Sequence, residues 1–263
     1  MARDFETLAF VVDGGLATIT LARPDQGNAV ARKFGEEFRA VALICQTDPE
    51  IRAVLLRAQG KAFCVGGDLK DFVAQADLAT AVKEMTIDFH AAVSMLARMD
   101  APLVCAVNGI AAGAGLTLAC LADYAIAGQS AAFTYAYAGV GFTADGGLTW
   151  LLPRLVGLRN FQSLVLSARV VPAAEALALG IVSEVVEDAD LATRAEAFAR
   201  RLSQGPTKAY GGIKRLALAS FSHEYEAHLE AEAQALFVAA KTDDARGAVA
   251  AMAQRKKPAF NGR

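Results

Sequence analysis

Two glycine-containing segments could present open backbone amides to a ligand. They are Lys61-Ala62-Phe63-Cys64-Val65-Gly66-Gly67-Asp68-Leu69 and Asn108-Gly109-Ile110-Ala111-Ala112-Gly113-Ala114-Gly115-Leu116. Each follows an apolar run, 53–58 and 103–107, that reads as a buried strand. The second leads into another apolar run, Leu116 to Leu121, read as a buried helix. Amides at a helix start lack an intrahelical acceptor and bear positive partial charge. Gly and Ala leave such donors uncovered, and donors so arranged stabilise an oxyanion. Tight helix–strand packing also calls for small residues, so the second segment by itself serves either purpose.

The acid/base inventory nearby is short. Between residues 101 and 174 the carboxylates are Asp123 and Asp145, with no histidine or lysine, and the thiols are Cys105 and Cys120. Asp145 precedes a helix in Thr143-Ala144-Asp145-Gly146-Gly147. From residue type alone it is either an N-cap or turn aspartate, or a proton-transfer group. Asp123, between a helix and a strand, reads as a hydrogen-bonded structural carboxylate. His90 falls in a long helix and reads as packed or solvated.

The elements that must position these groups follow from periodicity. Phe5 to Val12 and Leu16 to Ala22 flank Asp13-Gly14-Gly15 as a β-hairpin. A helix over 31–47 places Phe34, Phe38, Val41 and Ile44/Cys45 on one face. A strand over 53–58, a helix over 78–99 and strands over 103–107 and 124–127 follow. Residues 128–147 are Gly- and Ala-rich and weakly periodic. Helices are predicted over 147–156 and 159–167, with a short one from Pro172 to Gly180. A strand over 181–186 and a helix over 188–203 complete this part. After Gly205-Pro206 the pattern is helical throughout: 207–220, 223–240 and 243–255. This predicts an α/β core over 1–204 and a helical region over 205–263. Tyr225, Leu229, Leu236 and Phe237 give that region an apolar surface, which predicts an oligomer.

The 263 residues, 54% hydrophobic, suit one large domain or a domain with an appendage. Lys+Arg number 26 against Asp+Glu 28, a balance that argues against nucleic-acid or membrane-surface partners. No apolar run approaches the roughly 18 residues of a membrane helix. The charged N-terminus has no signal core, so a cytoplasmic protein is expected. Cys45, Cys64, Cys105 and Cys120 form no C-x-x-C pair and read as buried reduced thiols. His223 and His228 lie on different faces of a helix, and no metal site is expected.

The two glycine segments together resemble the crotonase superfamily, the enoyl-CoA hydratase/isomerase family. The similarity extends to Arg23-Pro24 with Asn28-Ala29, to Trp150-Leu151-Leu152-Pro153-Arg154-Leu155-Val156-Gly157, and to Ala173-Ala174-Glu175-Ala176 with Gly180-Ile181-Val182. It implies a ClpP/crotonase-like ββα spiral with a C-terminal helical trimerisation region, hence homotrimers or hexamers (dimers of trimers). It implies an acyl-CoA thioester substrate, coenzyme A being part of the substrate and no separate cofactor being required. The backbone amides of Gly67 and Ala114 match the family's oxyanion hole. CoA contacts map to Gln26, Gly27, Asn28 and Ala29, to Ala62, Val65, Gly66, Asp68 and Leu69, and, near the C-terminus, to Lys257 with Phe260. His90, Thr117, Tyr137 and Phe142 map to the acyl pocket.

Hydratases of the family use two glutamates, and the matching positions here are Thr117 and Tyr137. Neither is a general base near neutral pH. Peroxisomal-type Δ3,Δ2-enoyl-CoA isomerases and the ring isomerase of phenylacetate degradation carry their acid in the loop that holds Asp145 here, and the chain resembles the latter closely around Asp145 to Gly157. The resemblance therefore implies an isomerase with Asp145 as acid/base. The alternatives are a hydratase, a hydrolase similar to 4-chlorobenzoyl-CoA dehalogenase that uses Asp145 with His90, and a non-catalytic binder of CoA esters.

Overall fold

The structure, a computed structural model, describes residues 2–263. Its first strands are β1 (Ala2–Asp4), β2 (Leu8–Asp13) and β3 (Leu16–Leu21), an antiparallel meander. Gly14 and Gly15 turn β2 into β3 with φ of 54° and 81°, the left-handed pair that a two-residue hairpin requires. Seven strands follow: β4 (Ala53–Ala58), β5 (Leu103–Val107), β6 (Ile110–Ala112), β7 (Tyr124–Gly128), β8 (Ala132–Thr134), β9 (Val171–Pro172) and β10 (Glu184–Val186). The main sheet has the order β1-β2-β3-β4-β5-β7-β10 and is parallel from β3 onward. A second sheet has the order β6-β8-β9.

The helices are α1 (Arg32–Thr47), α2 (Leu69–Val73), α3 (Leu78–Arg98), α4 (Ala114–Leu121), α5 (Leu148–Val156), α6 (Leu158–Ser167), α7 (Ala173–Leu179), α8 (Leu191–Ser203), α9 (Thr207–Ala219), α10 (Tyr225–Ala240) and α11 (Asp243–Ala253). Both faces of the parallel strands are covered, which is why they read as unbroken apolar runs rather than alternating ones. Val54, Leu56, Leu103, Cys105 and Val107 join Phe34, Phe38, Phe89 and Leu96 of α1 and α3 in the larger core. Their neighbours Ala53, Leu55, Val104 and Ala106 face Leu191, Ala195, Phe198 and Ala199 of α8. All four cysteines are buried and free; burial pushes the Cys45, Cys64 and Cys120 thiols up to about 12. No helix among the described residues is long and apolar enough to cross a membrane.

Several elements depart from the pattern reading. β6, β8 and β9 are two or three residues long, too short to show a period. No element is predicted over 69–73; α2 starts there because the Asp68 carboxylate accepts from the Lys70 and Asp71 amides. The predicted strand 181–186 shrinks to β10. Ile181 and Val182 are buried instead behind the left-handed Gly180 cap, with the Ile181 amide bonded to Ala176 O at 2.8 Å.

Two consequences matter for function. β4 and β5 are parallel neighbours, so the segments that leave their C-terminal ends emerge on one edge. There Cys64 bonds to β6 on both sides, its amide to Ile110 O at 3.0 Å and its carbonyl from the Ala112 amide at 2.9 Å.

Candidate active site

The glycines of the two segments are explained by this pairing. A side-chain carbon on Gly109 would lie 2.0 Å from Lys61 O, and one on Gly115 would lie 2.3 Å from Cys64 O. One on Gly113, which has φ 53°, would stand 3.5 Å from the Gly66 Cα and 3.7 Å from the Tyr137 ring. Tight packing and open amides, alternatives in the sequence, coexist. Gly67 and Ala114 line one cavity of about 1220 Å³. Neither amide N–H has an acceptor among the described residues. Ala114 is the first residue of α4, so its N–H belongs to the open helix start. Two unpaired donors among the lining of one cavity can bind a developing oxyanion.

Beside them stands Asp145. Tyr137 Oη donates to Asp145 Oδ1 at 2.5 Å. Thr117, wholly buried, donates at 3.3 Å to the Asp145 backbone carbonyl and has its Oγ1 3.4 Å from Tyr137 Oη and from Gly113 O. On the other side the Gly146 amide donates to His90 Nε2 at 2.9 Å. Nε2 therefore holds a lone pair in this arrangement, and the ring proton is on Nδ1. Loss of solvation pushes the Asp145 carboxyl up, against the pull of the Tyr137 hydrogen bond. Desolvation and the Asp145 charge push the Tyr137 hydroxyl far above its usual value, so it serves as a donor. A carboxyl with raised pKa beside two free amides can take a proton from carbon and return it.

The cavity collects Gln26, Ala29, Val65, Gly66, Gly67, Asp68, Leu69, His90, Ala114, Tyr137, Phe142 and Asp145 of the residues singled out from sequence. Gly27, Asn28, Ala62, Thr117, Lys257 and Phe260 are not in its lining. Asn28 is 3% exposed; its side chain accepts from the Arg23 amide and donates to Gln59 O and Ala62 O, each at 2.9 Å. It clamps the two loops together, and Ala62 is one end of the clamp. Gly27, at φ 60°, leaves room for Val65, which a side chain there would meet at 2.8 Å. Thr117 supports Asp145 without reaching the cavity. The C-terminus is tied elsewhere: the Asp244 carboxylate accepts from the Asn261 and Gly262 amides, and Gly262 sits against Arg52, just before β4. That is the strand end opposite the glycine segments, so Lys257 and Phe260 lie away from this chain's own cavity.

Asp123 is a structural group, accepting from the Leu103 amide and pairing with Lys214, each at 2.7 Å. Tyr135 is buried and meets the Tyr137 ring edge-on at 5.4 Å. Other lining residues were missed. Val82, Met85 and Thr86 share the cavity face of α3 with His90, and their helical spacing would have found them. Phe72 pairs with Phe142, ring centres 6.0 Å apart; its helix was not predicted, so no signal pointed to it.

The family model for enoyl-CoA hydratase/isomerase matches residues 12–263. The chain belongs to this family. It is 35% identical over 260 residues to a Rhodobacter capsulatus protein named "Probable enoyl-CoA hydratase", covering 98% of this chain and 99% of that one. It is 34% identical over 261 residues to the 1,2-epoxyphenylacetyl-CoA isomerase of Escherichia coli, covering 96% and 97%. A solved structure of a Mycobacterium abscessus protein assigned to the enoyl-CoA hydratase/isomerase class superposes with a TM-score of 0.92. It has 37% identity and covers 97% of this chain and 100% of its own. The protein is thus an acyl-CoA-processing enzyme with the α/β crotonase fold and C-terminal helices.

Proposed function

We propose that this enzyme moves a carbon–carbon double bond within an enoyl-CoA, Δ3 to Δ2 or in a ring. The thioester oxygen accepts from the Gly67 and Ala114 amides. Asp145 takes a proton from C2; the C–H electrons pass to the oxygen as a dienolate, and the α4 start favours that charge. The same carboxyl returns the proton to C4, and the double bond moves into conjugation. The loops 26–29 and 62–69 hold the CoA moiety, and the helical region 205–263 assembles homotrimers or hexamers. The 1,2-epoxyphenylacetyl-CoA isomerase among the relatives supports an isomerase.

The observation that carries this reading is one desolvated carboxyl bonded by Tyr137, with Thr117 bonded to the backbone carbonyl of the same residue. Both hydroxyls are committed to holding Asp145, so a single acid faces the donors, enough for a 1,3-shuttle. Addition of water in this family uses two acids. His90 gives its Nε2 lone pair to Gly146, which leaves that nitrogen unable to activate water as a dehalogenase-type hydrolase needs. The test is Asp145→Asn, assayed with 3-enoyl-CoA and 2-enoyl-CoA. The wild type should conjugate the first and leave the second unhydrated, and the variant should lose about 10²–10⁴ in kcat. Full turnover in the variant, or faster hydration than isomerisation in the wild type, overturns the reading.

A further inference from the structure

We propose that Tyr137 is a positioning residue that divides the work between the two oxygens of Asp145: its hydroxyl keeps Oδ1 as a standing acceptor, and Oδ2 alone ferries the proton. This rests on the reading of Asp145 as the acid/base group. A phenol has one proton to donate, and here it goes to Oδ1. Oδ1 can accept it in both halves of the cycle. While Asp145 is ionised, Oδ1 is a carboxylate oxygen. Once Oδ2 has taken the C2 proton, Oδ1 is the carbonyl oxygen of the acid and accepts still. The hydrogen bond thus persists while the O–H bond at Oδ2 forms and breaks.

Tyr137 is itself held for this task. Its amide donates to Tyr135 O at 2.7 Å and its carbonyl accepts from the Phe142 amide at 3.0 Å. Its ring stands edge-on to Tyr135, which is edge-on in turn to Phe161 at 6.1 Å. Ala136 bends the chain into place with φ 58°, rare for a residue with a side chain. The Thr117 hydroxyl, 3.4 Å from Tyr137 Oη, and the Asp145 backbone also stand beside the phenol.

The hydrogen bond favours the charged carboxylate, so it weakens Asp145 as a base while aiming it. Removing it should leave a more basic but slower group. The other titratable groups near Asp145 are His90 from α3, which accepts from the Gly146 amide, and Cys64 from the segment after β4, whose thiol the Asp145 charge pushes up. Arg23, Asp25, Asp68, Lys70 and Asp71 lie elsewhere on the cavity wall. None changes in a Tyr137 variant.

The experiment compares wild type, Tyr137→Phe and the enzyme with 3-fluorotyrosine at 137, a more acidic phenol of nearly the same shape. Each is titrated with carbon-13 in its aspartate carboxyls, and the Asp145 signal is assigned by its loss in Asp145→Asn. The Asp145 midpoint should move to higher pH with Phe and to lower pH with fluorotyrosine. The acid limb of the isomerisation profile should move likewise. With Phe, kcat should fall about tenfold or more, the worth of a hydrogen bond to a charged group, with KM changed less than about twofold. A uniform loss of rate with unmoved midpoints overturns the proposal and leaves a merely structural tyrosine. The titration needs no substrate, so it stands apart from the functional reading. Retained isomerisation in Asp145→Asn removes that reading instead.

Discussion

Asp145 is placed where its charge is disfavoured, and that should be visible in stability as well as in rate. Its folded carboxyl titrates above the unfolded value of 3.8 because solvation is lost. Protonated Asp145 therefore contributes stability below the unfolded value, and the contribution is lost as pH rises through the raised folded value. Asp145→Asn keeps an acceptor for Tyr137 and removes the charge. It should resist urea better than the wild type at pH 7, with the gap closing as the medium approaches the unfolded carboxyl's range. No gain at pH 7 would mean that the ionised carboxyl is well solvated. At this scale the residue types left Asp145 open between a turn aspartate and a proton-transfer group, and the acid/base role came from the resemblance; Asp123 read as a structural carboxylate, which its bonds to Leu103 and Lys214 match. The bond from Tyr137 was not readable. It depends on the left-handed turn at Ala136, and alanine does not advertise such a turn as glycine or asparagine does.

At the scale of elements, the site is two segments held at backbone contact. Gly115 is the tightest point of α4 against its neighbour, since an added carbon would also meet the Cys64 Cβ at 2.9 Å. Cys64 is fixed to β6 on both sides, so the strain cannot relax through a side chain. Gly115→Ala should lose about 1–3 kcal/mol in urea unfolding. Its kcat should fall as well, because the Ala114 amide moves with the helix start. Gly212 in α9 has nothing within 4 Å of an added carbon; Gly212→Ala serves as the control and should gain about 0.4–1 kcal/mol. Equal effects at the two positions would deny that the contact with Cys64 matters. The parallel strands were legible to the residue at β4 and β5, because burial on both faces demands continuous apolar runs. The second sheet was not. β6 and β8 are three residues long, and what makes them strands is pairing with residues remote in sequence, which no local pattern encodes. The cavity face of α3 lay between these cases, present in the spacing but masked by the stronger core stripe through Phe89 and Leu96.

For the whole molecule, the question is what joins the helices after Pro206 to the sheet that bears the site. One side chain makes three of the bonds in that join. Lys214 of α9 has three ammonium protons and three partners: Leu96 O at 3.2 Å, Ala101 O at 3.1 Å and Asp123 Oδ2 at 2.7 Å. Arg215 and Lys208 add Asp100, each through a surface pair of the kind that contributes little. Asp123 lies where desolvation pushes its carboxyl up and where Lys214 and the Leu103 amide pull it down. Removing the cation breaks a partly exposed ion pair and two charge-assisted hydrogen bonds to carbonyls, which together cost about 1–3 kcal/mol. Lys214→Met should lose about that much at pH 7. The loss should shrink in acid, where the orphaned Asp123 takes up a proton. Adding Asp123→Asn to Lys214→Met should restore part of the stability at pH 7, since the amide is neutral and still accepts from Leu103. If the double variant recovers nothing, the penalty belongs to the two lost carbonyl bonds. Lys214 would then hold α9 to the end of α3 rather than to the strand that follows α4.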